Sequence, residues 1–453
     1  MRVLMVSAAV LPVWKCGVAT VVEDIRSMLK KNGHEVALFA LDLFGGNDRV
    51  EYHENTQCWF TKTNVSQKCA YISDSLPTVA HVNERFKACL ELFQPDAVHF
   101  HTPQYFSLSL IRMAKEIGAR TVVTLHDWWW VCPTQFFTPE KGCRCESVSR
   151  DNCLKCMKNT GETEDDYEKR ISALKDVEAL VDCFTCVSPV LYNDIINAKP
   201  DLRPKICIIP NAVPKSAESF VEMEGPLVFV FLGGRAEIKG YYEVMDAFGK
   251  IPNTEEWRLE IYGCSVPFQI GIIKWMQYVR YIFHPVLLFR KIKYIVQPRR
   301  RLRAFRDRLF GRKGSKRDNK ELENVQRIFH YPSITSQERD EILRRSHVVL
   351  MCSQVQESFS LVTYEAMANG CCVISTPCSG PMSIIKDQIN GIILSDSKPE
   401  TLTNAVLYML MNRNKVEYFR HNAYEESKSF LGKEQIANLY SELYSEEHVK
   451  HDC

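Results

Sequence analysis

The sequence predicts an α/β fold made of two doubly wound, Rossmann-like domains that face each other across a cleft. Short apolar runs rich in Val, Ile and Phe alternate with segments of helical periodicity. This alternation stops at a turn-rich stretch, residues 214–226, and then begins again. The runs are continuously apolar, which is typical of parallel sheets covered by helices on both faces.

Twelve runs are predicted to be strands, six on each side of that stretch. The first six are 3–9, 34–41, 97–101, 121–127, 183–188 and 206–213. The second six are 227–235, 258–263, 328–334, 347–353, 371–376 and 391–394. We therefore expect one domain at 1–213, a linker at 214–226, a second domain at 227–432 and a C-terminal segment, 433–453, whose helix returns to the first domain. Ligands of such folds bind at the carboxyl ends of the strands.

Composition excludes several classes of protein. The chain has 453 residues, 45% of them hydrophobic and 25% charged, with a formal charge of +2. These values argue against a disordered, collagen-like or membrane-embedded protein. The apolar N-terminus could imitate a signal peptide, but it stops at Lys15, and a buried first strand explains the same residues. Eighteen cysteines in a long chain without an export signal predict reduced thiols and a cytoplasmic location.

The first loop contains Gly17, which follows the first predicted strand and opens a helical pattern that ends at Gly33. A glycine loop that leads into a helix N-terminus suits an anionic ligand. A tight turn alone explains the same glycine, so the loop by itself leaves both interpretations open.

The second domain carries two further motifs. Gly233-Gly234-Arg235 ends a strand, and Lys239 follows four residues after the arginine, where two cations could neutralise a diphosphate. Glu357 and Glu365 are two carboxylates that can face one cleft, the second in the first turn of a helix, and carboxylates suit sugar hydroxyls. Solvated surface charges and helix capping explain the same residues individually.

The order of these motifs resembles the retaining glycosyltransferases of family 4, which have the GT-B fold. The resemblance spans nearly the whole chain except residues 266–325. It rests on the glycine loop, Thr-Leu-His126-Asp127, Val187-Ser188, Ile209-Pro210-Asn211, Gly233-Gly234-Arg235 with Lys239-Gly240, Glu357 with Glu365, and Asn390-Gly391.

The resemblance implies a role for each matching position. Arg235 and Lys239 would bind the donor diphosphate and stabilise the leaving nucleoside diphosphate. Glu357 would contact hydroxyls of the donor sugar, and Glu365 the ribose. His126 would face the reacting sugar. The remaining positions implied in donor binding are Gly17, Gly234, Phe359, Ser360 and Leu361.

The resemblance also implies that no metal or other cofactor is required for catalysis, and that the acceptor attacks from the face the leaving group departs from, which retains the anomeric configuration. The chain departs from the family at four places. Cys16-Gly17 stands where Gly-Gly is frequent, and Arg235 is one residue closer to the lysine than is common. Ser360 replaces a frequent glycine and Ser383 a usual glutamate.

A cysteine-rich loop, residues 132–156, follows His126. Cys143, Cys145, Cys153 and Cys156 have a spacing that predicts a structural Zn²⁺ site with four thiolate ligands, in a loop otherwise too polar to fold by burial. Reduced buried thiols or a disulfide are the alternatives.

A basic insert interrupts the second domain at about 266–325. Residues 270–317 contain fifteen Lys and Arg and one acid, a charge of +14, which leaves −12 on the rest of the chain. A helical apolar stripe runs through it at Ile272, Trp275, Met276, Val279, Ile282 and Phe283. This pattern predicts binding to an anionic membrane surface. Packing on the domain and nucleic-acid binding are the alternatives, and the long apolar stripe favours lipid over nucleic acid.

The combined prediction is a cytoplasmic, peripheral-membrane hexosyltransferase. It would move a sugar from a nucleoside-diphosphate sugar to a lipid-linked glycan acceptor, in polysaccharide or glycoconjugate biosynthesis. The alternatives are a sugar-nucleotide epimerase with the same fold, or a non-catalytic protein that binds a nucleotide sugar or nucleic acid.

Overall fold

The computed structural model describes residues 1–11, 16–41, 51–53, 58–61, 77–222, 224–252, 256–264 and 327–445. The basic insert, including the predicted membrane-binding segment 270–317, lies outside the described residues.

Fourteen strands and thirteen α-helices occupy the described part of the chain. The strands are β1 (Arg2–Ser7), β2 (Glu35–Leu41), β3 (Glu51–His53), β4 (Cys58–Thr61), β5 (Ala97–Phe100), β6 (Arg120–Leu125), β7 (Cys183–Cys186), β8 (Ile206–Ile208), β9 (Leu227–Phe231), β10 (Trp257–Ile261), β11 (Ile328–His330), β12 (Val348–Met351), β13 (Cys372–Ser375) and β14 (Gly391–Ile393). The helices are α1 (Gly17–Lys31), α2 (Pro77–Phe93), α3 (Ser109–Glu116), α4 (Arg150–Thr160), α5 (Glu164–Glu178), α6 (Pro189–Ala198), α7 (Tyr241–Gly249), α8 (Ser336–Arg344), α9 (Leu361–Ala368), α10 (Ser379–Met382), α11 (Pro399–Met411), α12 (Arg413–Ser427) and α13 (Lys433–Ser445).

The strands form two separate sheets. The first has the order β3-β4-β2-β1-β5-β6-β7-β8, and the second β11-β10-β9-β12-β13-β14. All neighbouring strands are parallel except β3 and β4. Each of the twelve predicted strands corresponds to one of these, while β3 and β4 at the edge of the first sheet were missed. The predicted fold of two doubly wound domains is confirmed.

Each sheet is buried on both faces, as a doubly wound fold requires. In β1, Leu4 and Val6 belong to one apolar cluster, whereas Val3 and Met5 belong to another on the opposite face. The second sheet follows the same rule, since alternate residues of β12 belong to different clusters. Continuous apolar runs are therefore explained by two-sided burial.

The last helix of the described chain packs on the first domain. Ala437, Tyr440 and Tyr444 of α13 lie in the same apolar cluster as Val22 and Ile25 of α1. An ion pair of 2.6 Å between Lys433 and Asp24 ties the same two helices. Among the helices in the described ranges, none is long and apolar enough to cross a bilayer.

Candidate functional site

A cleft of about 430 Å³ lies between the two domains, at the carboxyl ends of β1, β6, β9 and β12. Both domains supply its walls. Seven of the predicted site residues line it: Gly17, His126, Lys239, Glu357, Phe359, Ser360 and Leu361. Of the other predicted residues, Gly234, Arg235 and Glu365 lie outside this lining.

The central charged groups of the cleft are Lys239 and Glu357. Lys239 Nζ donates to Glu357 Oε1 at 2.9 Å. Burial by itself would lower the pKa of Lys239, but the charge and hydrogen bond of Glu357 outweigh burial and raise it. The pair therefore places a protonated lysine beside a carboxyl group, where an anion and a hydroxyl can bind side by side.

Two helix N-termini face the same space. α1 begins at Gly17, and its N-cap residue Cys16 makes no side-chain cap hydrogen bond. α9 begins at Leu361 after Ser360, which also makes none to the helix backbone. A Cβ placed on Gly17 would lie 3.5 Å from Leu361 Cδ1, so the two helix ends are close together. Uncapped N–H groups at two helix ends favour negative charge between them.

Glycines bring the Lys239 loop close to its neighbours. Gly234 has a φ of +57°, and a Cβ there would stand 2.6 Å from the Gly263 carbonyl oxygen. Gly240 has a φ of +85°, and its Cβ would stand 2.0 Å from the carbonyl oxygen of Cys352. Neither position accepts a side chain, because backbone atoms fill the space.

Arg235 does not join Lys239 in the cleft. Its side chain lies beside the thiol of Cys264, where its charge opposes the rise in the pKa of that thiol caused by burial, and it lies near His330 and Tyr241. The two cations therefore lie in different surroundings.

His126 connects the cleft to a buried row of histidines. Its Nε2 shares a hydrogen bond of 3.1 Å with His101 Nδ1, which leaves Nδ1 of His126 for a ligand. The ring of His99 lies tilted against that of His101 with centroids 4.0 Å apart, and His99 Nδ1 shares a hydrogen bond with the hydroxyl of Tyr444 of α13. Burial lowers the pKa of His126 to about 4 and that of His99 to about 3. The rings are therefore neutral near pH 7.

The residues next to His126 and Glu357 also belong to the cleft, and they were missed as site residues. Asp127 accepts from the backbone N–H of Trp129 at 2.8 Å, and burial raises its pKa to about 6. Ser358 donates to the carbonyl of His126, while its own carbonyl accepts from Ser188 at 2.5 Å. The Thr-Leu-His126-Asp127 and Val187-Ser188 motifs therefore hold the Glu357 loop, a relationship that requires the three-dimensional arrangement of the domains.

Glu365 was expected in a first helical turn facing the cleft with Glu357, and this placement is wrong. It is the fifth residue of α9, and its Oε1 pairs with Arg339 at 2.6 Å. Burial raises its pKa to about 7, against the opposing charge of Arg339. Its Oε2 is buried without a hydrogen-bond partner in the described part of the chain. The carboxylate thus keeps one acceptor atom for a ligand, near Asp24 of α1 and Lys433 of α13.

The cysteine-rich loop encloses a second cavity of about 370 Å³. Cys132, Cys145, Cys153 and Cys156 lie close enough that every pair among them interacts electrostatically, which adds to burial in raising the pKa of the last three thiols. Cys143, by contrast, is exposed. Cys143 also lines this cavity, but the mutual interactions join Cys132 to Cys145, Cys153 and Cys156.

The zinc prediction stays a prediction. Within the described ranges, no three His, Cys, Asp or Glu side chains surround one point as metal ligands do. The four grouped thiols would have to turn toward a common centre to bind an ion.

Comparisons with family models match both halves of the chain. The model described as Glycosyltransferase Family 4 matches residues 16–216, and the model described as Glycosyl transferases group 1 matches residues 307–426. A comparison with curated proteins gave no match.

Solved structures with the same overall fold were found over nearly the full length of the chain. Sucrose-phosphate synthase from Thermosynechococcus elongatus is 16% identical, with a TM-score of 0.64 and 98% of each chain covered. HepE from Anabaena, solved in complex with UDP-glucose, is 14% identical, with a TM-score of 0.60 over 98% of this chain and 99% of that one. WaaG, a glycosyltransferase involved in lipopolysaccharide biosynthesis, is 12% identical, with a TM-score of 0.59 and the same coverage. At these identities the likeness shows the fold.

Proposed function

Because the chain is a glycosyltransferase of the family 4 type with the GT-B fold, we propose that it transfers a sugar from a nucleoside-diphosphate sugar to a glycan acceptor and retains the anomeric configuration. The observation that carries this proposal is the Lys239–Glu357 pair of 2.9 Å, set in the interdomain cleft beside two helix N-termini. Similar structures solved with UDP and with UDP-glucose support a nucleotide-sugar donor.

The donor diphosphate would lie in the cleft beside Lys239 and the helix ends at Gly17 and Leu361. Lys239 contributes a full positive charge, and the two helix ends contribute backbone N–H donors. Negative charge grows on the diphosphate as the bond to the sugar breaks, and fixed cations and dipoles aimed at that charge lower the barrier. Arg235, turned toward Cys264, would contribute only after its side chain moves.

The two glutamates would bind different ends of the donor. Glu357, beside Lys239 in the cleft, would accept hydrogen bonds from hydroxyls of the sugar. Glu365 would accept from a ribose hydroxyl through its free Oε2. A buried acceptor without a partner costs about 1–3 kcal/mol, and a ligand hydroxyl would remove that cost.

The acceptor would attack from the side of His126. Retention by same-face attack requires the acceptor hydroxyl to approach the anomeric carbon beside the departing phosphate oxygen, which can take up its proton. His126 is neutral at pH 7, so it can orient a sugar hydroxyl through Nδ1 without adding charge.

A panel of nucleotide sugars tests the donor assignment. We expect one nucleoside-diphosphate sugar to stabilise the protein against thermal unfolding, because a ligand at 100 times its Kd adds about 2.7 kcal/mol. The same donor should release nucleoside diphosphate only when an acceptor glycan is present. Release without acceptor, together with interconversion of the donor sugar, would instead identify an epimerase.

We also propose that the acceptor is lipid-linked and that segment 270–317 holds the enzyme at an anionic membrane surface. The support is its charge of +14 and its apolar stripe. The full chain should float with vesicles of phosphatidylserine and phosphatidylcholine at low salt, whereas the chain without 270–317 should not. Equal flotation of both proteins would refute the role of the segment, and binding to RNA in preference to vesicles would favour the nucleic-acid alternative.

A further inference from the structure

A segment of the cysteine-rich loop crosses from the first domain to the second. We call residues 134–144 the strap. Its Thr138 Oγ1 accepts from the backbone N–H of Gln356 at 2.9 Å, and the N–H of Gly142 donates to the carbonyl of Gln354 at 2.9 Å. Lys141 pairs with Glu243 at 2.7 Å. These three contacts join the strap to the loop after β12 and to α7.

The strap is also firmly attached to the first domain, from which it extends. Phe137 is buried and lies parallel to Trp128, with ring centroids 5.4 Å apart. Its carbonyl accepts from the N–H of Cys145 at 2.8 Å. Arg144 pairs with Asp194 of α6 at 2.5 Å and also donates to Ser379 Oγ of the second domain. The strap is therefore attached to both domains, and a shift of one domain would change its contacts with the other.

Part of the strap belongs to the cleft wall. Gln135 and Phe136 line the cleft together with His126 and Glu357. Gln135 has a φ of 59° and Phe137 a φ of 52°, left-handed conformations that are strained for a non-glycine residue. Strained residues of this kind persist where neighbouring contacts hold the backbone in place. Here they orient the tip of the loop toward the cleft.

Thr138 links this wall to the loop of Glu357. Its hydroxyl donates to the carbonyl of Phe136 at 2.9 Å. The same hydroxyl accepts from the backbone N–H of Gln356, the residue immediately before Glu357. The Thr138 hydroxyl therefore acts as a donor on one side of the cleft and as an acceptor on the other.

We propose that the strap is the saccharide-acceptor wall of the cleft, and that Thr138 is a positioning residue that couples this wall to Glu357. An acceptor sugar would contact the partly exposed Phe136 ring with its apolar face and Gln135 with its hydroxyls. This inference rests on the proposed function, since it takes Glu357 to bind the donor sugar. It predicts that loss of the coupling slows transfer while nucleotide binding is unaffected.

The test compares full-length variants of Thr138. Thr138→Val removes the hydroxyl at nearly constant volume, Thr138→Ser keeps it, and Thr401→Val is the matched control outside the strap and the cleft lining, where the hydroxyl donates to Asp396 at 2.6 Å. The measurements are amide hydrogen exchange of residues 134–145 and 354–360, UDP affinity by calorimetry, and kcat/KM of transfer with the donor that the nucleotide-sugar panel selects.

In Thr138→Val we expect about tenfold faster exchange in both segments and about tenfold lower kcat/KM, the effect of losing one hydrogen bond. UDP affinity should stay within about twofold of wild type, and Thr138→Ser and Thr401→Val should behave like wild type. Unchanged exchange and kcat/KM in Thr138→Val would overturn the proposal, and so would a loss of UDP affinity as large as the loss of transfer.

A second variant covers the case in which Thr138→Val does not fold. Lys141→Ala opens the half-exposed pair with Glu243 and should accelerate exchange of the same segments, while unchanged exchange would overturn the proposal. A wild-type protein that binds no UDP or other nucleotide would refute the proposed function. The exchange measurements test the attachment of the strap whether or not the protein binds a nucleotide.

Discussion

Lys239 Nζ stands 2.9 Å from Glu357 Oε1, although 118 positions separate the two residues in the chain. The lysine comes from the loop after β9 and the glutamate from the loop after β12, two neighbouring strands of the second sheet. Parallel strands bring the loops at their carboxyl ends together, so a cation and a carboxylate meet where a ligand binds.

We predict that Lys239→Met and Glu357→Gln each lower kcat/KM of sugar transfer by about a hundredfold or more, the usual effect of removing one electrostatic contact to the transition state. Thermal stability should change little, because a partly exposed ion pair contributes at most about 1 kcal/mol. Steady-state kinetics and thermal unfolding measure the two effects.

Lys250→Met is the matched control for Lys239→Met. Lys250 is exposed and pairs with Asp246 and Glu400 outside the cleft lining, so this variant should transfer sugar at the wild-type rate. Wild-type turnover by both cleft variants would contradict the assignment of the site.

The buried histidines predict a loss of stability in acid. Burial lowers the pKa of His99 to about 3 and of His126 to about 4, and lowers that of His101 well below 6.5. The folded rings stay neutral while those of the unfolded chain take up protons below about pH 6.5. The contribution of these rings to stability is therefore complete above that pH and is lost toward pH 4, by about 1.4 kcal/mol per pH unit and group.

Chemical denaturation between pH 7.5 and pH 5 measures this slope. His99→Gln should lower stability at neutral pH but flatten the pH dependence by about one proton. His421→Gln, at an exposed position, should leave the slope unchanged. Parallel curves for wild type and His99→Gln would contradict the prediction.

The sequence was sufficient to predict both sheets because the signals that define them are local. Two-sided burial makes each central strand continuously apolar, and the glycines that permit close backbone approach, such as Gly234 and Gly240, are visible in the chain. β3 and β4 form an antiparallel pair at one end of the first sheet, and they were missed because their sequences, Glu-Tyr-His and Cys-Trp-Phe-Thr, lack the Val and Ile on which the pattern depends.

Contacts between elements that are distant in the chain could not be predicted from the sequence. Arg339 and Glu365 lie on different helices, α8 and α9, and nothing in their spacing shows that they pair. The same holds for Arg235 and Cys264, and for the exposure of Cys143 beside buried Cys153. The order of the motifs therefore predicted most of the residues that line the cleft. It did not predict which side-chain atoms of those residues remain available to bind a ligand.

Ser360 adopts a conformation that favours glycine, with φ 67° and ψ 69°, and its hydroxyl bonds to Thr363 Oγ1 at 2.9 Å. A left-handed conformation costs an L-residue roughly 1–2 kcal/mol. We predict that Ser360→Gly is at least as stable as wild type, whereas Ser360→Ala loses about 1 kcal/mol with the hydrogen bond and Ser360→Val loses more. Urea denaturation measures the order, and an alanine variant as stable as the glycine variant would contradict it.

The grouping of thiols gives the zinc prediction a corrected set of ligands. Cys132, Cys145, Cys153 and Cys156 interact in every pair, and Cys143 is exposed. Zinc binds thiolates, and its charge would offset the raised pKa values of Cys145, Cys153 and Cys156. Cys153 and Cys156 of α4 have the two-residue spacing that structural zinc sites commonly use.

We therefore predict one zinc per chain in protein purified under reducing conditions. Cys132→Ser should lose the metal and unfold at lower temperature, while Cys143→Ser should retain both the metal and the wild-type melting temperature. Elemental analysis and thermal unfolding measure these outcomes. Wild-type protein without zinc would reject the site and leave four reduced thiols packed around the cavity, and loss of zinc in Cys143→Ser but not in Cys132→Ser would restore the set predicted from spacing.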